Sequence, residues 1–194
     1  MSKRNCALSL IELLVSMILM SLIILGFFSI DLFSRHHVVG SDKRAKVQNE
    51  IVRSIEYMSK YVQQSIGDVN NPPIKVYPSV VGQTGFQVRV DLNTPQTPGD
   101  LTDDTWIVFY LNGNSLKTVQ NGTTEVLSTR IISTFDTNVM PSNPDKGFYV
   151  SITDQGTAVD VGLVGRYDPT IAASSDNPQI SMKTRLVSPS SSAR

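Results

Sequence analysis

The sequence has little cysteine, little histidine and no excess of charge of either sign. Cys6 is the only cysteine, so an intramolecular disulfide and a cysteine-rich zinc site are both excluded. The 17 Lys and Arg residues equal the 17 Asp and Glu residues, and charged residues make up only 18% of the chain. A chain without net basic charge lacks the broad positive surface of nucleic-acid-binding proteins, so we expect no nucleic-acid partner.

Motifs of the common enzyme classes are also missing from the sequence. It has no Walker A, dinucleotide-binding glycine, G-x-S-x-G or H-E-x-x-H pattern. The only histidines, His36 and His37, follow the apolar N-terminal part, so a Ser/His pair in the C-terminal part is excluded. We therefore expect no enzymatic activity. The sequence does not exclude carboxylate-only catalysis, but nothing in it points to that chemistry.

Apolar residues are concentrated near the N-terminus. Residues 13–30 carry no charge, and their only polar groups are three serine hydroxyls. With the residues before it, the stretch 8–30 is long enough to cross a bilayer as a helix, which takes about 20 apolar residues. It is too long for the apolar part of a cleaved secretory signal, and no A-x-A-like site follows it. Glu12 interrupts this predicted membrane helix, and a carboxylate there is costly enough to be a functional candidate.

The residues at the start of the apolar run follow a specific order. A short basic leader containing Lys3 and Arg4 ends at the small residue Ala7, and Leu8-Ser9-Leu10-Ile11-Glu12-Leu13-Leu14-Val15 comes next. This order resembles the class III signal of type IV pilins and pseudopilins, in which Gly precedes Phe-Thr-Leu-Ile-Glu-Leu-Leu-Val. The sequence departs from that pattern at Ala7, which stands where the family has Gly.

That resemblance implies a processing site and an assembly residue. A prepilin peptidase is expected to cut between Ala7 and Leu8 and to methylate the new N-terminus at Leu8. Glu12 is expected to pair with the amino terminus of a neighbouring subunit, because an unpaired charge in apolar surroundings is costly. The competing interpretation is that Glu12 lies at the headgroup level of an ordinary membrane anchor.

A second helical pattern follows the apolar run. Between residues 45 and 66, apolar side chains recur every three or four residues and form one helix face. They are Val47, Ile51, Ile55, Met58, Val62 and Ile66. This face is predicted to pack on a sheet, with a short coiled coil as the alternative. Gly67 and Pro72-Pro73 predict the end of the helix, and Gly40 marks a candidate bend.

The remainder of the chain has the patterns of antiparallel strands. Alternation predicts a strand at 86–92, and a run of β-forming residues predicts another at 105–111. Asn112-Gly113 and Asn121-Gly122 are typical of tight hairpin turns. Further strands are predicted at residues 115–119, 125–127, 130–135, 147–153, 158–164 and 179–187. No helices alternate with these segments, so a parallel sheet is not expected.

Together these patterns predict an α+β fold. A long N-terminal helix, membrane-spanning in its first half and amphipathic in its second, is expected to pack on a C-terminal antiparallel β-sheet. The predicted segments are a leader (1–7), a transmembrane or filament-core helix (8–30), an amphipathic helix (31–67), an antiparallel β domain (68–187) and a disordered tail (188–194). This is the pilin architecture, and the layout is most similar to PilW-type minor pilins and J-type minor pseudopilins.

The resemblance implies a structural subunit of a filament. We expect a minor pilin or pseudopilin of a type IV pilus or type II secretion pseudopilus, at the tip or in assembly initiation. The implied partners are other pilins or pseudopilins, the prepilin peptidase, the inner-membrane assembly platform and membrane lipid. The implied location is the cytoplasmic (inner) membrane, in a single pass with the C-terminal domain outside the cytoplasm, and then the filament. A major shaft subunit and a non-polymerising, membrane-anchored periplasmic binding domain are the alternatives.

Metal sites have weaker sequence signals. Asp100, Asp103 and Asp104 offer the oxygen ligands that calcium prefers, but their spacing is not that of an EF-hand and aspartate is common in turns. His36 and His37 would need further ligands from elsewhere in the chain to bind a metal. No cofactor is predicted, and calcium is the one candidate metal.

Overall fold

A computed structural model of the chain describes residues 9–68, 70–77, 85–93, 96–97, 100–133 and 147–189, apart from the side chain of His36. The chain divides into two compact units, Met1–Ser41 and Asp42–Arg194. One long N-terminal helix packs on antiparallel β-sheets, so the predicted α+β fold is confirmed.

The long helix α1 comprises Leu10–Gln63 and continues through Gly40, where the sequence marked a candidate bend. It ends earlier than the predicted boundary at residue 67. Ser65 forms an antiparallel bridge with Val90, and the Ile66 backbone N–H donates to the Arg89 carbonyl at 3.0 Å. These backbone contacts with a strand replace the last helical turn.

The apolar face predicted for the second half of α1 lies in the hydrophobic core. Val47, Ile51, Met58 and Val62 are fully buried, and Ile55 is partly buried against the same cluster. Their contacts are with residues of the β-sheets, which confirms packing on a sheet rather than in a coiled coil. Full burial of side chains of this size contributes about 1.5–3 kcal/mol each.

The first sheet, within the described residues, has five antiparallel strands in chain order. They are β1 (Ile74–Val76), β2 (Gly85–Val90), β3 (Thr105–Asn112), β4 (Ser115–Gln120) and β5 (Thr123–Ser128). The predicted strands over β2 to β5 are present, while β1 was not predicted. Three residues are too few to give a recognisable alternation.

Both predicted hairpin turns of this sheet are present. Asn121 and Gly122 have φ values of 50° and 78° between β4 and β5, as a two-residue hairpin loop requires. Between β3 and β4, Asn112 pairs with Ser115, so the central turn residues are Gly113 and Asn114. The turn therefore lies one residue later than the Asn112-Gly113 dipeptide suggested, and Gly113 takes the positive φ of 58°.

The second sheet has three antiparallel strands in the part of the chain that the structure describes. They are β6 (Phe148–Thr153), β7 (Ala158–Arg166) and β8 (Gln179–Val187), in the order β6-β7-β8. The strand predicted at 130–135 is wrong over its described residues. Of residues 130–133 only Ile131 pairs, in an isolated bridge with Gly165, and residues 134–135 lie outside the described residues.

The core joins α1 to both sheets. Phe86 on β2 has its ring centroid 5.2 Å from that of Phe109 on β3 and 6.3 Å from that of Phe148 on β6. All three rings are fully buried. The ring of Tyr61 on α1 lies 6.2 Å from that of Phe109, so one continuous aromatic cluster links the helix with the two sheets.

An ion pair also fixes α1 to the β-rich part. The Arg130 Nε donates to Glu50 Oε1 at 2.6 Å, and the Ser128 hydroxyl donates to Glu50 Oε2 at 2.9 Å. The Arg130 guanidinium also donates to the Tyr167 carbonyl at 2.5 Å and lies 4.6 Å from the centroid of the Tyr167 ring. Glu50 lies on α1, whereas its partners Ser128 and Arg130 lie in the β-rich part, so these two contacts attach the helix to that part.

The start of the predicted disordered tail is ordered. Ser188 is completely buried, and its backbone N–H donates to the Thr157 carbonyl at 2.8 Å. The Ser65 and Ser188 hydroxyls are also hydrogen-bonded at 2.7 Å. The prediction for residue 188 is therefore wrong, because two hydrogen bonds fix a residue whose serine-rich neighbourhood suggested disorder. Residues 190–194 lie outside the described residues.

Candidate functional site

The apolar segment of α1 is a helix with an uncovered surface. Every described side chain from residue 9 to residue 39 is exposed. An 18-residue window of α1 reaches a mean hydropathy of 2.7, and none of that window is buried. Such a window is about 27 Å long at 1.5 Å per residue, close to the roughly 30 Å of a bilayer hydrocarbon core. The described residues thus include one helix long and apolar enough to cross a membrane.

The serine hydroxyls of this segment are hydrogen-bonded within the helix. Ser16 donates to the Glu12 carbonyl at 2.7 Å, and Ser21 donates to the Ile18 carbonyl at 2.8 Å. Ser29 donates in the same way to the carbonyl four residues before it, at 2.9 Å. Because each hydroxyl has a partner in its own helix, none carries the penalty of an unpaired polar group in hydrocarbon.

Glu12 lies in the first turn of α1, where it forms a capping box with Ser9. The Ser9 backbone N–H donates to Glu12 Oε2 at 2.9 Å, and the Glu12 backbone N–H donates to the Ser9 hydroxyl at 3.3 Å. This reciprocal pair satisfies two backbone donors that the helix start leaves free. This capping role was not predicted, although the Ser-x-x-Glu spacing is its ordinary signature.

The position of Glu12 is also electrostatically favourable. A carboxylate in the first turn of a helix faces the positive end of the helix dipole. The capping box uses Oε2, so Oε1 is outside it and can accept a hydrogen bond from a donor beyond this helix. The two residues predicted to flank the cleavage site, Ala7 and Leu8, lie outside the described residues.

The histidine pair lies on α1 beyond the apolar run. The ring of His37 makes an edge contact with Phe33, at a centroid distance of 5.1 Å. Nearby, Asp31 and Arg35 form an exposed ion pair at 3.0 Å. Within the described side chains, no three His, Cys, Asp or Glu residues are grouped in a way that could hold a metal ion.

Two of the three aspartates in the acidic loop bond to the loop itself. Asp100 Oδ1 accepts from the Thr102 hydroxyl at 2.6 Å and from the Thr102 backbone N–H at 3.0 Å, and these bonds lower the pKa of Asp100. Asp103 Oδ2 accepts from the Asn93 amide at 2.7 Å and from the Thr97 hydroxyl at 3.0 Å. Both carboxylates therefore act as acceptors within turns, which is a common use of aspartate.

Asp104 differs from its neighbours. Both of its carboxylate oxygens are buried and have no hydrogen-bond partner among the described residues. Burial raises the pKa of Asp104, Arg89 opposes this effect, and Asp91 adds to it. The three aspartates thus have separate environments, and the structure does not group them as ligands of one metal ion.

The face between α1 and strands β4 and β5 was not predicted as a site. Tyr57, Tyr61, Thr118 and Glu125 meet there beside a cavity of about 280 Å³. No spacing in the sequence indicates this grouping, because it depends on the register of β4 with β5 and on the rotation of α1 about its axis.

Comparisons with models of known protein families, with curated proteins and with solved structures found no match.

Proposed function

We propose that this chain is a minor pilin or pseudopilin, a non-enzymatic structural subunit of a type IV pilus or a type II secretion pseudopilus. It acts at the filament tip or in assembly initiation. The observation that carries the proposal is the exposed apolar helix with Glu12 in its first turn, directly after the predicted cleavage site at Ala7 and Leu8.

The exposed apolar surface of α1 supports the proposal because such a surface is unfavourable in water and needs contact with lipid or protein. A continuous apolar surface of this size on a protein marks contact with lipid or with another protein. In the proposed function, lipid of the cytoplasmic membrane covers the helix first, and the helices of neighbouring subunits replace the lipid in the filament. The C-terminal unit then lies outside the cytoplasm and provides the surfaces that select its neighbours.

Glu12 has a specific task in this proposal. Its free carboxylate oxygen accepts from the new amino terminus of a neighbouring subunit, while the capping box with Ser9 holds the other oxygen in place. In apolar surroundings, removal of one partner of such a pair costs about 3–5 kcal/mol, because the other charge stays buried without compensation. Pairing therefore selects one register of adjacent helices.

Three variants separate this assembly role from helix capping. Glu12→Gln keeps an acceptor suited to the capping box but removes the charge, Glu12→Ala removes both, and Ser9→Ala removes the capping hydroxyl but keeps the charge. We expect both Glu12 variants to remain in the membrane and to be absent from purified filaments. Ser9→Ala should be incorporated normally. If Glu12→Gln entered filaments as well as the wild type, Glu12 would be a capping residue only.

Mass spectrometry of the N-terminal peptide from native membranes tests the processing step. The proposal expects a chain that begins at Leu8 with a methylated amino group. A chain that keeps residues 1–7 in cells with an active prepilin peptidase, together with tolerance of Glu12→Ala, would identify a non-polymerising membrane-anchored domain instead. Copy number in purified filaments distinguishes a scarce tip subunit from a major shaft subunit.

A further inference from the structure

A small polar cavity lies between α1 and the β4–β5 hairpin. Its volume is about 280 Å³. It is lined by Tyr57, Thr118, Gln120, Asn121, Thr123 and Glu125. We refer to it as the Thr118 cavity.

Thr118 brings to this cavity a buried hydroxyl group that none of the other lining residues hydrogen-bonds. The residue is only 2% exposed, and its hydroxyl has no hydrogen-bond partner among the described residues. Thr118 pairs in register with Glu125 on β5 and with Phe109 on β3. A buried hydroxyl needs a hydrogen-bond partner, so the cavity suits an occupant that both donates and accepts hydrogen bonds.

The two tyrosines of α1 hold one wall of the cavity in place. The Tyr57 hydroxyl donates to Glu125 Oε2 at 3.3 Å, and the Tyr61 hydroxyl donates to Gln120 Oε1 at 3.2 Å. Burial, with Tyr61 and Glu125 acting in the same direction, raises the pKa of Tyr57 above its ordinary value. The Tyr57 phenol therefore stays protonated and keeps its donor role, and its ring supplies the one aromatic surface of the lining.

The chemistry of the lining excludes most classes of occupant. Among the described lining residues Glu125 alone carries a charge, and this negative charge disfavours phosphates, carboxylates and other anions. The amides and hydroxyls of Gln120, Asn121, Thr118 and Thr123 supply donors as well as acceptors. A hydroxyl group of a ligand also donates one hydrogen bond and accepts others, so a compound with adjacent hydroxyls matches this lining.

We propose that the Thr118 cavity binds one neutral monosaccharide unit, with the Thr118 hydroxyl and the Glu125 carboxylate bonded to adjacent sugar hydroxyls and the Tyr57 ring against its carbon face. A primary ammonium group fits less well, because it is a donor only and would leave the amide N–H groups of the lining without acceptors. This inference is independent of the proposed function, since the cavity lies within the C-terminal unit and involves no residue of the assembly helix.

A larger cavity of about 760 Å³ at the C-terminal end of α1 offers less support for a ligand site. Its lining includes the buried Asp91 carboxylate. Asp91 Oδ1 already accepts from the Asn93 backbone N–H at 2.9 Å, and Oδ2 accepts from the Thr97 backbone N–H at 2.5 Å. Both oxygens of the Asp91 carboxylate thus have hydrogen-bond donors in the surrounding loop, whereas the Thr118 hydroxyl has no partner among the described residues.

The full-length chain in lipid nanodiscs tests the proposal. Saturation-transfer NMR with galactose, mannose and N-acetylglucosamine as separate probes should detect contact with at least one of them. Thr118→Val, which removes the hydroxyl and keeps the shape, should lower the affinity for that sugar about tenfold, equal to about 1.4 kcal/mol. Glu125→Gln should also weaken it. Thr184→Val, a matched substitution on β8, should leave the affinity within twofold of the wild type.

Three outcomes would overturn the proposal. The first is that none of the sugars contacts the protein at millimolar concentration, which would mean that water is the occupant. The second is that lysine methyl ester binds with loss of affinity in Thr118→Val while the sugars do not. The third is sugar binding that is unchanged in both Thr118→Val and Glu125→Gln. If Thr118→Val fails to fold by circular dichroism, Glu125→Gln, at an exposed side chain, decides the question.

Discussion

Removal of Arg130 should loosen the attachment of α1 to the β-rich part. The arginine makes an ion pair with Glu50 at 2.6 Å, a hydrogen bond to the Tyr167 carbonyl at 2.5 Å and a cation–π contact with the Tyr167 ring at 4.6 Å. The side chains of Arg130 and Glu50 are 25% and 34% exposed, so solvent screens the pair in part. Arg130→Ala would leave both the Glu50 carboxylate and the Tyr167 carbonyl without this donor.

The size of the effect follows from these contacts. A hydrogen bond that involves a charged group contributes about 1.5–3 kcal/mol, and a cation–π contact at a partly exposed site contributes about 0.5–1 kcal/mol. Since the pair is partly screened, we expect Arg130→Ala to lower the free energy of unfolding by about 3 kcal/mol. For a unit of this size, each kcal/mol lowers Tm by about 2–4 °C, so the expected loss is about 6–12 °C.

Thermal unfolding of the full chain in detergent micelles measures this loss. Trp106 is the only tryptophan, and it lies on β3, so its fluorescence reports on the first sheet without labelling. Arg53→Ala is the matched control, because Arg53 is an exposed arginine on α1 and its removal should change stability by less than about 0.5 kcal/mol. A double-mutant cycle of Glu50→Gln with Arg130→Ala should give a coupling energy of at least about 1 kcal/mol. Equal melting temperatures for the Arg130 and Arg53 variants would show that the Arg130 contacts do not stabilise the attachment of α1.

Two further predictions concern the loops. Asn177 is 2% exposed, and its amide donates to the carbonyls of Asp168, Ile171 and Ala172 at 2.9–3.2 Å. Asn177→Ala should therefore speed hydrogen exchange across residues 168–177 and lower the free energy of unfolding by about 2 kcal/mol. Unchanged hydrogen exchange in this loop would contradict the prediction. Asp104 has a pKa above its ordinary value of 3.8 in the folded state because of burial, so its contribution to stability is greatest below pH 3.8 and is lost as the pH rises through the folded pKa. Asp104→Asn lacks this loss, and its melting temperature relative to the wild type should therefore rise between pH 3 and pH 7; a constant difference across that range would show that the carboxylate is not destabilised by burial.

Much of the fold could be predicted because its signals are local and periodic. The face of Val47, Ile51, Met58 and Val62 repeats at the helical period, and burial of that face is what attaches the helix. The Asn121-Gly122 turn was predictable for a similar reason, since few residues adopt two successive positive φ values. Local chemistry of this kind does not depend on the rest of the fold.

The features that sequence reasoning missed depend on contacts between distant residues. Ser188 appears in a serine-rich end, and only its bonds to Ser65 and Thr157 make it part of the core. The end of α1 was predicted from Gly67, whereas the pairing of Ser65 with Val90 ends it earlier. The Thr118 cavity is of the same kind, because its lining comes from three elements.

The Ser9–Glu12 capping box was within reach of sequence reasoning. Its Ser-x-x-Glu spacing is local, but Glu12 was interpreted only as a partner for another subunit or as an interfacial residue. The two roles are compatible, because the capping box occupies one carboxylate oxygen. The cleavage site itself stays a prediction, since Ala7 and Leu8 lie outside the described residues.

The hydrogen bonds of Ser16, Ser21 and Ser29 within α1 have a consequence for how the apolar helix can move. Since each hydroxyl is bonded to its own helix, sliding α1 along a neighbour by one turn, about 5.4 Å, breaks no serine hydrogen bond. Rotation of the helix about its axis breaks none either. Within residues 9–30, Glu12 is then the one side chain that can hydrogen-bond a partner outside α1 at one depth or rotation of the helix and not at another. A single carboxylate therefore distinguishes the possible positions of the whole segment.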